Sequence, residues 1–256
     1  MILPLPLVIY SHTDYDDILE IQTDFVEKIE NKYLIINNRD NFSEKQQSII
    51  KKYKKVIFYD DSLPYASRLL SLEKLKKLDI DHIILLHDID ILLNLNVEKL
   101  NCIFNVFLSK NLDRLDLKKN HLYDPSVEKK ELCDKEILFF KEKENFIYNV
   151  NPSIWKLSCL MEIMDKFKHK NYRNIEDSDV QQYCKKFNVY HLFSEKYIKC
   201  GWYACLSFFV FLHITHYGGL LPISNNETDE EINLFYSQIM EKYKNSLKKN
   251  FRTTMH

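Results

Sequence analysis

Short apolar runs alternate with amphipathic stretches over the first hundred residues of the chain. Four of these runs predict strands, at residues 7–10, 33–36, 56–59 and 83–86. Between them, helical spacing of apolar residues predicts helices over 14–31, from the Ser43–Gln46 capping box to residue 53, behind Pro64 and over 96–109. Strands that are apolar on both faces and separated by helices favour an α/β fold with a mostly parallel central sheet and helices on both faces.

The second half of the chain is less regular. The pattern predicts strands over 146–150 and 189–193, helices over 152–167, 176–187 and 230–247, and loop with short elements over 113–143. The apolar run 202–214 is too short to span a bilayer and predicts a buried element. Because no linker rich in Pro, Gly or Ser interrupts the chain, we expect a single α/β domain over residues 1–224 and a C-terminal helical tail over 225–256.

Composition excludes several classes of function. The net charge is −1 and the basic residues are dispersed, which argues against a dedicated nucleic-acid-binding protein. The only glycines are Gly201, Gly218 and Gly219, so neither a G-x-G-x-x-G dinucleotide motif nor a P-loop can be formed. Any phosphate group must therefore be bound by side chains and a metal ion.

The cysteines and the first residues bear on the cellular compartment. Six cysteines are dispersed without a C-x-x-C pair, a pattern that excludes zinc-ribbon and thioredoxin-like sites and is typical of reduced, buried thiols. The first seven residues contain two prolines and no basic residue, which is unlike a signal peptide. We therefore expect a cytoplasmic protein without a transmembrane segment.

Acidic residues follow three of the four predicted strands, namely Asp14, the pair Asp60 and Asp61, and the Asp88-Ile89-Asp90 segment. Ligands of parallel sheets bind beyond the carboxyl ends of the strands, and several carboxylates in one crevice repel each other unless a cation neutralises them. The i, i+2 spacing places Asp88 and Asp90 on one side of an extended segment. We predict that they bind Mn²⁺ or Mg²⁺, with capping of a following helix as the alternative.

The segment from Tyr59 to Arg68, the segment from Ile83 to Asp90 and the segment from Asn151 to Trp155 resemble glycosyltransferases of the GT-A fold, in particular those of large DNA viruses and some microbes. The resemblance covers roughly residues 7–220. It implies that Asp88 and Asp90 bind a metal that bridges the diphosphate of a nucleotide-sugar donor. The donor-binding residues that it implies are Ser11, His12, Asp60, Asp61, Arg68 and Asp88.

The resemblance also implies catalytic and acceptor-binding residues. Residues 176–179 are similar to the E-D-x-D stretch of inverting members, in which Asp177 would be the general base beside Glu176. Ile175 stands where that stretch usually has a glycine. Asp179 and Trp155 would contact the acceptor. Of the late histidines, His216 would be the third metal ligand, since His213 follows an apolar run and fits the core.

Three hypotheses of function follow. The leading one is a metal-dependent, inverting transfer of a sugar from a nucleoside-diphosphate sugar to a hydroxyl acceptor such as a glycan or glycoprotein. Nucleotidyl transfer also uses carboxylates and metal at strand ends, but it would normally add a glycine-rich or basic loop after the first strand, where residues 11–17 are acidic. The third hypothesis is a nucleotide- or carbohydrate-binding scaffold without activity.

Overall fold

The chain folds as a mixed α/β structure around one large sheet, here described from a computed structural model. The described residues are 1–119, 130–131, 138–141, 147–200, 203–216, 219–221 and 229–248. For Lys119, residues 130–131 and 138–141, and His216, the description is limited to the backbone.

The first four strands are parallel neighbours, as the sequence predicts. They are β1 (Leu7–Tyr10), β2 (Lys32–Asn37), β3 (Lys55–Tyr59) and β4 (His82–His87), in the sheet order β3-β2-β1-β4. The chain moves outward from β1 to β3 and then returns to the other side of β1. In an open α/β sheet, the crevice at this switch point lies beyond the carboxyl ends of the strands and is the usual ligand site.

Helices connect these strands at the positions expected, although they are shorter. They are α1 (Asp16–Phe25), α2 (Glu44–Ile50), α3 (Tyr65–Leu69) and α4 (Glu73–Lys76). The Ser43–Gln46 capping box opens α2, whereas the helix predicted over 14–31 ends at Phe25. Because crossovers between parallel strands are right-handed, the return to β4 places α3 and α4 on the face opposite α1 and α2.

The strand that follows β4 leaves the main sheet. It is β5 (Asp90–Leu95), which pairs antiparallel with β13 (Phe209–His213). The helix predicted over 96–109 follows as α5 (Val97–Ser109), and the side chain of Asn96 caps it.

The other half of the sheet is mixed, which corrects the prediction of a mostly parallel sheet. Next to β4 lies β9 (Ser153–Lys156), which is antiparallel to it. Beyond β9 are β6 (Arg114–Lys119), β10 (Val189–Phe193), β8 (Leu138–Lys141) and β7 (Lys130–Glu131). Since β9 is antiparallel to both β4 and β6, those two strands run in the same direction and end at the same edge of the sheet.

Two predictions for this half are wrong. The segment predicted as one helix over 152–167 is β9 followed by α6 (Leu157–Lys166). Residues 147–150 are not a strand, and residue 146 lies outside the described residues. The stretch 113–143, predicted as loop with short elements, supplies the interior strand β6.

The remaining elements are short, apart from the last helix. They are α7 (Ser178–Cys184), β11 (Ile198–Cys200), β12 (Tyr203–Cys205), β14 (Thr215–His216), β15 (Gly219–Leu220) and α8 (Glu230–Tyr243). The apolar run of the sequence becomes two strands, β12 and β13, of which β13 is buried along its whole length. Trp202, within that run, lies outside the described residues.

The C-terminal helix α8 packs against α1. The hydroxyl of Tyr243 donates to Asp24 of α1 at 2.6 Å, and Ile232 and Ile239 are buried. Just beyond the helix, the backbone N–H of Lys248 donates to Asp17 at 2.8 Å. The last turn of the described chain therefore rests on the segment that follows β1.

Two expectations about membrane and thiols can be compared with the described residues. None of the helices in the described ranges has the length and apolar character needed to cross a membrane. The cysteines at 159, 184, 200 and 205 are free and buried, as expected for core thiols, whereas Cys102 is disulfide-bonded.

Candidate active site

Asp88 lies at the switch point between β1 and β4. Its backbone N–H donates to the carbonyl of Tyr10, the last residue of β1. The side chain is fully buried, and the hydroxyl of Ser11 donates to its Oδ2 at 2.5 Å. The fold thus joins two residues that lie 77 positions apart and that the sequence places at the ends of two strands.

The protein leaves the Asp88 carboxylate partly unsatisfied. Its Oδ1 is buried and has no hydrogen-bond partner within the described part of the chain. Burial raises the pKa of this carboxyl to about 7, while the Ser11 hydroxyl opposes the rise and the charge of Asp90 adds to it. A buried carboxylate beside a second one, with an oxygen to spare, requires a proton or a cation. The chemistry of the site therefore fits a hard divalent ion.

Raising the pH should destabilise the metal-free protein through Asp88. Between about pH 4 and about pH 7 the folded state keeps a proton that the unfolded chain has lost, because folding raises the pKa of this carboxyl from 3.8 to about 7. The free energy of unfolding should fall across that window by on the order of 4 kcal/mol. Asp88→Asn cannot ionise and should lack this loss. Urea unfolding of both proteins in EDTA, at about pH 4 and about pH 8, measures this loss; an equal pH dependence would contradict the assignment.

Asp90 opens β5 and is paired with a histidine of β13. It lies opposite His213 in the ladder, and Nδ1 of His213 is 2.8 Å from Oδ1 of Asp90. The sequence pattern predicts that His213 lies in the core, and the family resemblance implies His216 as a metal ligand. The structure instead brings His213 to the acidic pair, while the side chain of His216 lies outside the description. Residues 88–89 form a turn rather than an extended segment, and Ile89 packs against the core as expected.

The acidic pair fits an open metal site rather than a closed one. The element after Asp90 is a strand, so the alternative that these aspartates cap a helix is wrong. Among the residues that the structure describes, no group of three or more His, Cys, Asp or Glu side chains is arranged to hold a metal ion. Magnesium is often bound by only one or two carboxylates, with substrate phosphates and water completing its shell. Asp88 and Asp90 match that kind of site.

Asp61 faces His12 at the carboxyl edges of β1 and β3. Nδ1 of His12 accepts from the backbone N–H of Asp14 at 3.1 Å, so Nε2 carries the proton and donates to Asp61 at 2.9 Å. Arg68 is buried and donates to the carbonyls of Asp61 and Leu63 at 2.7 and 2.6 Å. The structure therefore pairs Arg68 with the aspartate segment, where it fixes the turn that presents Asp61.

Asp60, the other aspartate of this segment, has a local role. Its carboxylate accepts from the backbone N–H and the hydroxyl of Ser62, at 2.9 and 2.7 Å, and its side chain is exposed. This is the turn chemistry that Asp before Ser commonly provides. Asp61, and not Asp60, is thus the aspartate of this pair that points to the site.

The residues of the predicted E-D-x-D stretch separate in the structure. Asp177 and Asp179 are half-exposed, and Nζ of Lys170 lies 3.0 Å from each carboxylate. Glu176 turns inward, where its Oε1 accepts from the backbone N–H of Val150 at 2.7 Å. Burial raises the pKa of the Glu176 carboxyl. Of the three acids, Glu176 is the one that turns inward and whose pKa burial raises.

The charges of Glu176 and of Asp90 help to raise the pKa of the same two tyrosines. Burial raises the pKa of Tyr172, and the charges of Asp90, Glu176 and Asp88 add to the rise. Tyr203 behaves in the same way, with burial as the main cause and the charges of Asp90 and Glu176 contributing. These carboxylates therefore share one region at the carboxyl edge of the sheet.

A buried polar network that the sequence analysis did not find lies beside this region. Arg114 and Asp116 of β6 are fully buried, with 3.6 Å between Nη2 and Oδ2. Asn149 accepts from Arg114 at 2.5 Å through its side-chain oxygen and donates to Asp116 at 3.0 Å. Burial alone would raise the pKa of Asp116, but the charges of Lys118 and Arg114 hold it below its usual value.

Trp155 does not lie at the candidate site. It is in β9 opposite Ile83 at the beginning of β4, which is the edge of the sheet away from Asp88. Its ring is 2% exposed and packs under the guanidinium of Arg114, whose central carbon is 5.0 Å from the ring centre. This position does not fit the predicted contact with an acceptor; Trp155 is a core residue.

Comparisons with known proteins give only a distant likeness. The chain matches no protein-family model and no curated protein. The solved structures that it resembles include apo UDP-glucose pyrophosphorylase (10% identity, 75% of this chain and 92% of that one, TM-score 0.43) and the same enzyme complexed with UDP-glucose (11%, 75% and 92%, 0.40). Another is a mannose-1-phosphate geranyltransferase from Thermus thermophilus (8%, 83% and 76%, 0.40). These comparisons do not support the resemblance to viral glycosyltransferases, and at such TM-scores they carry no argument about function.

Proposed function

We propose that this chain is an enzyme that acts on a nucleotide sugar at the carboxyl edge of β1 and β4, and that the reaction is glycosyl transfer. The observation that carries the proposal is the buried Asp88 carboxylate, with its unpartnered oxygen, beside Asp90 at the switch point of the sheet. Mn²⁺ or Mg²⁺ held by these two residues would offset negative charge on the leaving diphosphate. His213 is 2.8 Å from Asp90 and orients that carboxylate.

The nucleoside would lie between Ser11, His12 and Asp61. Asp61 is hydrogen-bonded to His12 and remains half-buried at the mouth of the crevice, where a carboxylate can accept an N–H of a base or a hydroxyl of a ribose. Arg68 holds this segment from behind through the carbonyls of Asp61 and Leu63. The nucleoside end of the site is thus organised by backbone contacts to a buried guanidinium.

Arg68→Lys should weaken nucleotide binding without slowing the chemical step. An ammonium group cannot replace a planar guanidinium that donates to two carbonyls at once, so the Asp61 turn should loosen. We expect the dissociation constant for the nucleoside diphosphate to rise about tenfold, equivalent to about 1.4 kcal/mol. Calorimetric titration in the presence of Mn²⁺ measures it. Asp60→Asn is the control because the Asp60 carboxylate, within the described ranges, is hydrogen-bonded only to Ser62. An equal weakening there would contradict the role of Arg68.

Two features favour glycosyl transfer, namely Glu176 and the composition of residues 11–17, which follow β1. An inverting transfer requires one carboxylate to take the proton of the acceptor hydroxyl as its oxygen attacks the anomeric carbon. Glu176, held by the Val150 N–H and raised in pKa by burial, is suited to this step. Residues 11–17 contain three aspartates, and Asp14 is paired with Arg39 at 2.9 Å. Such a loop does not provide the cationic cradle that a nucleoside triphosphate would require.

Nucleotidyl transfer, the reaction class of a pyrophosphorylase, is the second candidate. It uses a sugar phosphate as the nucleophile, which benefits from a cation on the acceptor side of the site. Lys118 at the end of β6 supplies such a charge: its ammonium lies 5.2 Å from the ring centre of Tyr203 and its charge lowers the pKa of Asp116. Nucleotidyl transfer also needs a weaker general base than glycosyl transfer to a neutral hydroxyl, because the attacking phosphate is already ionised.

One assay with two arms separates these reactions. In the first arm, the protein is incubated with Mn²⁺ and a panel of UDP-, GDP- and dTDP-sugars, and release of the nucleoside diphosphate is measured. In the second arm, nucleoside triphosphates and sugar 1-phosphates are supplied, and pyrophosphate is measured. Diphosphate release supports glycosyl transfer, pyrophosphate release supports nucleotidyl transfer, and metal-dependent thermal stabilisation without turnover in either arm supports a binding scaffold.

A further inference from the structure

We propose that Arg114 and Gln181 are positioning residues, which clamp the backbone of residues 147–150 from two sides so that the N–H of Val150 holds Glu176 in place. The inference rests on the proposed function, in which Glu176 accepts the proton of the acceptor hydroxyl. It assigns a purpose to the buried network around Arg114.

Arg114 holds this segment from the sheet side. Its Nη1 donates to the carbonyl of Ile147 at 2.8 Å, and its Nη2 donates to the carbonyl and side-chain oxygen of Asn149 at 3.3 and 2.5 Å. The same Nη2 donates to the hydroxyl of Ser153 in β9 at 2.8 Å. One guanidinium thus ties two carbonyls of an irregular segment to the central sheet.

Gln181 holds the segment from the helix side. Its Oε1 accepts from the N–H of Tyr148 at 3.0 Å, and its Nε2 donates to the carbonyl of Tyr148 at 2.7 Å. The same Nε2 donates to the backbone carbonyl of Glu176 at 3.0 Å. Gln181 therefore links the clamped segment directly to the residue that it is to position.

The Val150 N–H is the point where the two clamps act. The carbonyls of Ile147 and Asn149 and both backbone groups of Tyr148 are fixed, so the N–H that follows has a defined direction. That N–H donates to Oε1 of Glu176 at 2.7 Å. An irregular backbone would otherwise sample several conformations, and the carboxylate would follow it.

The cost of the network supports a functional purpose. Burying a guanidinium and a carboxylate is seldom more favourable than burying apolar side chains of similar volume. Arg114 and Asp116 are both 0% exposed. A network of this kind is retained where it fixes one arrangement among several, and the arrangement fixed here is the segment that carries the Val150 N–H.

The test combines kinetics with amide hydrogen exchange. Arg114→Lys keeps the charge but loses the planar fork, and Gln181→Ala removes the second clamp from a half-buried helix position, where folding is less at risk. Gln182→Ala, at the exposed neighbouring position, is the control. Turnover, the KM for the nucleotide sugar, and exchange of the amides of 147–150 by mass spectrometry are measured for each full-length variant.

We expect turnover to fall about 10²-fold in Arg114→Lys and about tenfold in Gln181→Ala, with the donor KM within about threefold of the wild type, because small displacements of a catalytic group have effects of that size. Exchange of residues 147–150 should rise at least about tenfold in both variants and stay unchanged in Gln182→Ala. Faster exchange with wild-type turnover, lost turnover without faster exchange, or equal losses in the control would each overturn the inference.

Failure of the proposed function has a different signature. If Glu176→Gln keeps wild-type turnover, or if no nucleotide substrate is turned over at all, Glu176 is not the proton acceptor of the reaction. The exchange measurement still decides whether Arg114 and Gln181 fix the segment, since it needs no activity. Unchanged exchange in both variants would then refute the clamp as well.

Discussion

Replacing Asp90 with asparagine is expected to abolish turnover while leaving the fold intact. The variant keeps an oxygen that can contact His213, which lies 2.8 Å from Asp90 in the wild type, but it removes one of the two charges that would hold the metal. A bound metal supplies several kcal/mol of charge stabilisation, so we expect a loss of about 10³-fold or more. Nucleoside-diphosphate release at saturating donor and Mn²⁺ measures it.

A matched control for this variant is available at the same edge of the sheet. Asp40 follows β2 and is exposed, so Asp40→Asn changes the net charge equally without entering the crevice. It should retain turnover within about twofold, as a surface substitution usually does. Thermal stabilisation by Mn²⁺ with nucleoside diphosphate should disappear only in Asp90→Asn. Wild-type turnover in that variant would exclude Asp90 as a metal ligand.

The second large effect is expected at Glu176. Glutamine retains an oxygen that accepts from Val150 but cannot take a proton, so Glu176→Gln should lower turnover by about 10²- to 10⁴-fold, the usual contribution of a general base. The KM for the nucleotide sugar should stay within about threefold. Initial rates over a range of donor and acceptor concentrations measure both quantities.

Asp177→Asn is the companion variant for Glu176→Gln. Asp177 is the general base implied by the family resemblance, yet it is half-exposed and ion-paired with Lys170 at 3.0 Å. We expect its turnover to change less than about threefold. A large loss in Asp177→Asn with none in Glu176→Gln would restore the assignment from sequence. A small effect in both would favour nucleotidyl transfer, which relies less on a base.

The parallel half of the sheet could be predicted from the sequence because its signals are local. Four apolar runs separated by amphipathic helices specify β1 to β4, and the acidic residues of the candidate site follow the ends of these strands. Asp88 beside Ser11 was predictable for the same reason: parallel strands end at one edge, so residues after neighbouring strands meet.

The other half was not predictable because its polar residues are buried. β6 reads Arg-Leu-Asp-Leu, an alternation that is typical of a strand with one face in water. In the structure that polar face is covered, and Arg114 and Asp116 are both hydrogen-bonded to Asn149, whose position in the sequence gives no hint of the contact. The contact between His213 and Asp90 was not predictable for a similar reason, since the two residues lie 123 positions apart in the sequence.

The antiparallel direction of β9 determines which insertion sites lie close to the candidate site. In an all-parallel sheet, only the segments that follow strands lie at the carboxyl edge. Here the stretch before β9 lies there too, because β9 is antiparallel and Ser153 at its start pairs with Leu85 of β4 and with Asp116 of β6. Extra residues grafted at 150–152 would therefore enter at the edge that carries Asp88 and would displace the Val150 N–H that contacts Glu176. The same graft at the turn around Asp79, ahead of β4, would extend the opposite edge, away from both carboxylates.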